Sequence, residues 1–401
     1  MSTVQPVSVS PFTAILDGER DAIYAELMSR GPAHRVATLS GVRGWLITGH
    51  EKARTLMSDP RLVKGGWRSG AYADRLPEEL ARGLYSHMLN LNGADHARLR
   101  KLVTTVFTRR RVEWLSPRIQ EMTDELLSAF DGAESVDLMS ALAYPLPIGV
   151  ISELLGVPEA SRENFRRWTA RIIAPGTCTF AEYEDALRTM LAFARDLVAS
   201  KRSAPQDDLL SDLIAARDGE ERLSEDELTS MIFLLVIAGH ETTVNLIGNA
   251  VYALLRNPDQ LALLRDDPAL LEPAIEELLR YDAPAQTTLS YVAAEPIEVG
   301  DVTIKAGESV VVAVQAANRD PVHFPEPDQL DLTRLGAVHT AFGHGVHYCV
   351  GAPLARVEAR IAIGTLLDRF PGLRLDADPA TLTRNASMIM NGLSALPVRL
   401  R

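Results

Sequence analysis

Phe342-Gly343-His344-Gly345-Val346-His347-Tyr348-Cys349-Val350-Gly351 is the stretch on which the reading of this chain turns. One cysteine stands in a glycine-rich loop, after an aromatic residue and just before a segment, Ala352 to Leu367, whose pattern predicts a helix. The chain has one other cysteine, Cys178, far away in sequence. Cys349 is therefore a poor candidate for a structural disulfide and lacks the paired spacing of a zinc site. A lone thiolate in such a loop suits the single protein ligand of an iron porphyrin. Two rivals stay open at this point, a small buried hydrophobe and an activated nucleophile. The loop is not a dinucleotide fingerprint, because the third glycine of that motif is absent.

Working outward, the bulk numbers set bounds. The 401 residues carry a formal net charge of -12, which argues against general nucleic-acid binding. Two cysteines in so long a chain fit a reducing compartment. Met1 to Leu16 has neither the basic start nor the apolar core of a signal peptide. The longest apolar stretch, Met231 to Gly239, is far short of the ~20 residues that span a bilayer. A cytoplasmic protein without a membrane segment is expected.

No repeat, low-complexity tract or convincing domain boundary appears, so one domain over residues 1–401 is expected. Helical patterns dominate from about Asp21 to Tyr281, with amphipathic helices predicted over Val112 to Phe130, Ser161 to Ile173 and Ala181 to Lys201. Ser224-Glu225-Asp226-Glu227 reads as a capping box that opens a helix running to the stop signal Asn257-Pro258. A further helix is expected to start near Pro273 and run to Tyr281. After Pro284 the texture changes. Ile297 to Val299 and Val302 to Ile304 flank the turn pair Gly300-Asp301, Ser309 to Val314 is a β-branched run, and Leu396 to Leu400 fits a terminal strand. The fold class is mainly α with a smaller β portion late in the chain, an α+β arrangement.

Three further segments carry chemistry. In the long predicted helix, Ala238-Gly239-His240-Glu241-Thr242-Thr243 sets an acid beside a threonine on an apolar face. Small residues there would let a flat ligand approach the backbone; the plain alternative is a buried helix with polar packing residues. A zinc pair is absent, since Val244 stands four residues after His240. Glu277 and Arg280 are three apart, by themselves an ordinary ion pair. His96 and Arg100 are four apart in a basic helical segment and reach the same side, which suits binding of a carboxylate. Arg109, Arg110 and Arg111 extend that basic run in an acidic chain and suggest docking of an acidic partner.

These elements occur together and in order, and the chain as a whole resembles the bacterial cytochrome P-450 family of haem-thiolate monooxygenases. The resemblance implies the cytochrome P-450 fold, with haem between the long central helix and the cysteine-loop helix. It implies that Cys349 is the proximal ligand of the iron of haem b, with Phe342 beside it. It places His96, Arg100 and His347 at the haem propionates and Ala238 over the distal face. Thr242 and Glu241 are implied in oxygen activation and proton delivery, and Glu277 with Arg280 in tying a helix to the meander behind the thiolate. Pocket-facing positions implied by the same resemblance are Leu84, Met88, Leu89, Leu234, Ile237, Thr287, Thr288, Leu289, Ile389 and Met390. They are mostly apolar and favour a hydrophobic substrate such as a steroid, terpenoid or polyketide, hydroxylated or epoxidised with dioxygen.

Electrons would come from NAD(P)H through a ferredoxin and its reductase, with the chain a monomer. Two departures from the family stand out. Tyr291 replaces an arginine that binds a propionate, and Gln329 replaces a meander arginine that supports the Glu277–Arg280 pair, leaving Arg319 or Arg334 to compensate. The alternatives are a peroxide-driven peroxygenase, which the Glu241-Thr242 pair disfavours, a non-catalytic haem sensor, and a haem-free cysteine enzyme.

Overall fold

The computed structural model describes residues 11–16, 18–37, 43–65, 75–173, 178–217, 223–334, 336 and 338–401. Residues 1–10, part of the stretch read above for a leader, lie outside them. In chain order the elements are α1 Glu19–Arg30, β1 Ala33–Ala37, β2 Arg43–Ile47, α2 His50–Met57, β3 Leu62–Val63, α3 Glu78–Tyr85, α4 Gly93–Val106, α5 Arg109–Ser128 and β4 Ser135–Asp137. Then come α6 Pro145–Leu155, α7 Arg162–Ile173, α8 Phe180–Ser203, α9 Leu209–Arg217, α10 Glu225–Arg256, α11 Pro258–Asp266 and α12 Leu271–Tyr281. The last stretch holds β5 Tyr291–Ala293, β6 Ile297–Val299, β7 Val302–Ile304, β8 Ser309–Val312, α13 Val314–Asn318, α14 Ala352–Arg369, β9 Arg374–Leu375 and β10 Pro397–Arg399.

The chain forms two compact units. The first is built from Met1–Val63, Ser116–Leu146 and Thr242–Arg401. It holds every strand among the described residues, in a five-stranded sheet ordered β1-β2-β8-β5-β3, a three-stranded sheet β4-β10-β9 and the hairpin β6-β7. Among the described residues only β2 and β8 pair in parallel. Alternation along these strands sends successive side chains to opposite faces. Trp45, Ile47, Val310 and Val312 enter one buried cluster with Leu56 and Tyr291, while Leu46 and Val311 enter another with Phe12, Tyr24 and Leu27.

The early strands correct the expectation of a late β portion. β1 to β4 fall where helix was expected: β2, β3 and β4 pair with β8, β5 and β10 more than 200 residues further on, and β1 is an edge strand held only by β2, so the local pattern gives no signal. Two boundaries also differ. The β-branched run from Ser309 stops as strand at Val312, and Val314 opens the short helix α13. α12 begins at Leu271, so Pro273 is its third residue.

The second unit, Lys64–Leu115 with Pro147–Glu241, has helices and no strand among its described residues. α8 opens on a capping box, with the Thr179 hydroxyl accepting from the Glu182 N–H and the Glu182 carboxylate accepting from the Thr179 N–H. α10 opens on the capping box read from Ser224. The Ser224 N–H donates to Glu227 Oε2 at 2.8 Å and the Glu227 N–H to Ser224 Oγ at 3.1 Å. With 32 residues it is about 48 Å long. α10 is also the one described helix apolar and long enough to cross a membrane, and 72% of its most apolar window is buried in the fold. The chain passes from one unit to the other between Glu241 and Thr242 of this helix.

Candidate active site

The cysteine loop is held from both ends. Asn318 Oδ1, at the end of α13, accepts from the Thr340 N–H and hydroxyl at 2.7 and 2.9 Å. The Gly343 N–H then reaches Thr340 O at 2.8 Å, and the Cys349 N–H closes the loop on Phe342 O at 2.9 Å. Gly343 and Gly345 take φ of 74° and 71°, the left-handed region that a side chain strains. A Cβ on Gly345 would also stand 3.0 Å from Met57 O and 2.8 Å from Ser58 Oγ at the end of α2. The aromatic of Phe342 lies under the guanidinium of Arg356, 4.4 Å from the ring centroid.

Arg356 in turn grips Glu276 with two bonds of 2.6 and 2.8 Å, and His339 Nε2 lies 3.2 Å from the same carboxylate. Burial would raise the Glu276 pKa, but the bonds from Arg356 and His339 outweigh it and hold it at about 2. Cys349 itself is exposed and outside any disulfide. Its Sγ lies 3.8 Å from where a Cβ on Gly351 would be, and Gly351 caps the N-terminus of α14. The positive end of that 18-residue helix favours the thiolate.

Behind the loop, Glu277 and Arg280 form a fully buried pair, Nε–Oε2 2.6 Å and Nη2–Oε1 2.8 Å. Arg280 also donates to the carbonyls of Asn318, Pro327 and Gln329 at 3.0, 2.8 and 3.1 Å. The arginine missing at 329 is supplied by Arg334, whose Nε donates to Glu277 Oε1 at 3.2 Å. Arg319 is committed elsewhere, to Tyr281 O, Asp328 and Asp21. The Gln329 side-chain amide instead donates to Glu326 Oε1 at 3.0 Å. Tyr291 is buried in β5, and burial pushes its phenol up to about 12, so it stays neutral at any working pH.

In the middle of α10 the buried pattern breaks. Ile237, Gly239 and Thr242 are half-buried and Ala238 is exposed, in a run otherwise buried from Leu228 to Leu254. Gly239 corrects the expectation that its smallness serves a ligand, since an added Cβ would press 3.0 Å from Ile151 Cδ1 of α6. Ala238 is the small residue left open. Beside it His240 and Glu241 are both buried, with the His240 ring held neutral by burial at a pKa of about 4. Burial pushes the Glu241 carboxyl up to about 7. A carboxyl poised there is protonated about as often as not near neutral pH, which suits a group that takes up and passes protons.

On α4, His96 is buried and Arg100 half-buried, four residues apart as read. Burial and then the charge of Arg100 lower the His96 pKa. Leu84 and Met88 are buried, with Leu89 half-buried next to them. In the other unit the segments carrying Thr287 to Leu289 and Ile389 to Met390 are stitched together. Gln286 N–H donates to Ile389 O at 2.8 Å and Thr287 Oγ1 to Met388 O at 2.7 Å. Thr287 thus spends its hydroxyl on the neighbouring turn and is buried, while Thr288 Oγ1 accepts from the Val312 N–H at 3.2 Å.

A buried polar cluster anchors this pair of segments. Arg20 of α1 and Arg384 both donate to Asn391 Oδ1, at 2.8 and 3.0 Å, and the Asn391 amide donates to Asp282 at 2.7 Å. Sequence reasoning named Arg334 only beside Arg319, without deciding between them, and missed Arg356, His339 and this cluster, whose partners lie from tens to hundreds of residues apart. Of the basic run, Arg109 and Arg110 are exposed, whereas Arg111 is drawn onto Asp212 at 2.6 Å. That narrows the expected dock.

The residues present fit an iron porphyrin. Among the described residues no three His, Cys, Asp or Glu side chains gather as a metal site. A metal held by Cys349 must therefore bring its own further ligands, as a porphyrin iron does. The comparisons with known proteins agree. The Cytochrome P450 family model matches residues 179–391. Cytochrome P450 107B1 of Saccharopolyspora erythraea is 47% identical over 406 residues, covering 100% of this chain and 99% of that protein. The 6-deoxyerythronolide B hydroxylase of the same organism is 42% identical over 386 residues, 94% of this chain and 95% of the other. Among solved structures, the tirandamycin C-bound P450 monooxygenase TamI superposes with a TM-score of 0.90 at 43% identity, over 96% of this chain and 98% of that one.

The chain belongs to the cytochrome P450 family. It has the fold of that family and is an oxidoreductase of the monooxygenase type, for which haem is the implied cofactor.

Proposed function

We propose that this chain hydroxylates or epoxidises a hydrophobic small molecule, with macrolides and related polyketides the favoured class, using dioxygen and electrons relayed from NAD(P)H by a ferredoxin. Haem b, when bound, would supply the oxygen-activating chemistry. Cys349 would be its one protein ligand, the helix terminus behind it holding the sulfur as thiolate. Phe342 would pack beside that sulfur, and His96, Arg100 and His347 would bind the propionates, with Tyr291 able to offer a hydroxyl but no charge. Thr242 would position oxygen and its proton, and Glu241 would hand protons on from solvent. Ala238 would leave room above the ring plane. Leu84, Met88, Leu89, Leu234 and Ile237, with Leu289, Ile389 and Met390, would form the substrate walls; Thr287 and Thr288 would set the backbone of that wall.

The observation that carries this reading is the Cys349 loop, a cysteine at a helix terminus in a twice-anchored turn, with no other metal-ligand cluster near it among the described residues. The relatives named above support the substrate class by what their names say they act on. For the electron donor, Arg109 and Arg110 are exposed at the start of α5, Arg109 paired with Glu113 at 2.9 Å, and Trp114 four residues beyond Arg110 is 66% exposed. Cations at a helix N-terminus are disfavoured, and an exposed aromatic beside them suits an acidic protein partner. A monomeric, cytoplasmic protein forming a single cytochrome P-450 domain over 1–401 completes the reading.

The test has two parts. The reduced protein under carbon monoxide should show the red-shifted thiolate band, and its absence would refute haem-thiolate ligation. With a turned-over substrate, Thr242→Ala should keep that band and divert most NAD(P)H into hydrogen peroxide; full product yield per NAD(P)H in the variant would remove Thr242 and Glu241 from proton delivery.

A further inference from the structure

Arg356 stands one turn into α14, about 6 Å along the axis from Ala352. Long side chains on a helix lean toward its N-terminus, which here means toward the cysteine loop. The Arg356 guanidinium accordingly lies over the ring of Phe342, 4.4 Å from the centroid, and the Phe342 carbonyl is the one that accepts from the Cys349 N–H. Tyr348, the residue just before the cysteine, has its ring 6.3 Å from that of Phe342. The bond to Glu276 chiefly, and the Tyr348 phenol less, push the Arg356 pKa up against the opposing effect of burial. Arg356 therefore keeps its charge and rests it on the loop.

The aim of that charge is set from behind. Glu276 holds the guanidinium by its edge, through Nε at 2.6 Å and Nη2 at 2.8 Å, which leaves the flat face to the aromatic ring. His339 holds Glu276 in turn. The Ala341 N–H donates to His339 Nδ1 at 3.2 Å, so the ring proton is on Nε2, which faces the Glu276 carboxylate at 3.2 Å. The His339 ring is itself 5.9 Å from that of Phe342. His339 thus enters as a neutral donor, Arg356 as the cation and Glu276 as the anion of this cluster.

We propose that Arg356, aimed by Glu276 and His339, sets how readily an iron bound by Cys349 accepts an electron. Arg356 is a positioning residue, acting through the loop rather than on the iron directly. The proposal rests on the haem-thiolate reading above. Reduction moves one electron from the ferredoxin to the iron and adds one negative charge to the site. A fixed cation on the loop favours that state and restrains the push of electron density from the sulfur. Glu276 acts in the opposite sense. The two side chains are 33% and 37% exposed, so solvent screens part of the effect and the expected shift is modest.

The test measures the reduction potential of the haem-loaded protein by spectroelectrochemical titration. Arg356→Gln should lower the equilibrium constant for reduction about fivefold, and Glu276→Gln, which leaves the cation unopposed, should raise it. Arg356→Lys, which keeps the charge and loses the flat stack, should restore part of the wild-type value. The stretching frequency of carbon monoxide on the reduced protein should follow, lower in Arg356→Gln and higher in Glu276→Gln. A merely structural role would move both variants the same way. Shifts of one sign, or potentials unmoved while the thiolate band persists, would overturn the proposal and leave the haem-thiolate reading intact. A wild type without that band refutes the reading and the proposal with it. If Arg356→Gln holds no haem, Glu276→Gln decides alone: a rise supports the proposal, and a fall or no change overturns it.

Discussion

Glu241→Gln should make the protein more stable, and the gain should depend on pH. The Glu241 carboxyl titrates near 4.5 in an unfolded chain and at about 7 in the folded one, because burial disfavours its charged form. Below pH 4.5 both states hold the proton and the carboxyl behaves like the amide. Between 4.5 and 7 the folded state keeps a proton that the unfolded state has released, so stability falls as pH rises. Each pH unit over that window removes about 1.4 kcal/mol. The full loss, reached above pH 7, is about 3 kcal/mol. Among the described residues the basic group paired with it is His240, Nε2 3.6 Å from Glu241 Oε1, and that ring, with a pKa of about 4, is largely neutral over the window.

Glutamine keeps the shape and cannot ionise. The two proteins should therefore show similar urea midpoints at pH 4.5 and diverge to about 3 kcal/mol in favour of the variant at pH 8, read by far-ultraviolet circular dichroism. The same substitution should slow product formation, since an amide passes no proton. Parallel stability profiles across pH, or a variant less stable at pH 8, would show that Glu241 is charged and solvated in the folded state and would refute the argument.

Two substitutions test the supports of the cysteine loop. Arg334→Ala removes one of the two cations on the buried Glu277 and should lower stability by about 1–3 kcal/mol with loss of haem retention, while Gln329→Ala should stay within about 0.5 kcal/mol; equal effects in thermal melts would unseat Arg334 as the replacement. Gly345→Ala meets both a left-handed backbone and the Met57 carbonyl, so it should cost about 2–4 kcal/mol and reduce the fraction of protein that shows the thiolate band. Normal haem content and an unchanged melt would show that the loop and α2 are not in close register.

What the sequence made legible was chemistry confined to one segment. The lone Cys349, the capping box at Ser224 and the His96–Arg100 spacing each lie within a few residues, so periodicity and composition expose them. β1 reads Ala33-His34-Arg35-Val36-Ala37, with two basic residues in five, and it is a strand because β2 pairs with it and β8 pairs with β2. Nothing local announces that. Arg334 and Glu277 are 57 residues apart, so only the fold reveals which arginine fills the place left by Gln329. Gly239 shows the opposite limit. Its smallness was visible, but the reason for it, the side chain of Ile151, was not.

The buried cluster of Arg20, Asp282, Arg384 and Asn391 has a consequence for how this protein is altered. Asn391 follows Ile389 and Met390, so a helix at the very start of the chain is bonded to the turn proposed to wall the substrate. Exchanging the first thirty residues with those of a relative, or loosening α1 with a fused tag, would act at the far end of the sequence as well. Selectivity is then a trait inherited partly from the amino-terminal segment, and libraries confined to the pocket residues would leave that lever untouched.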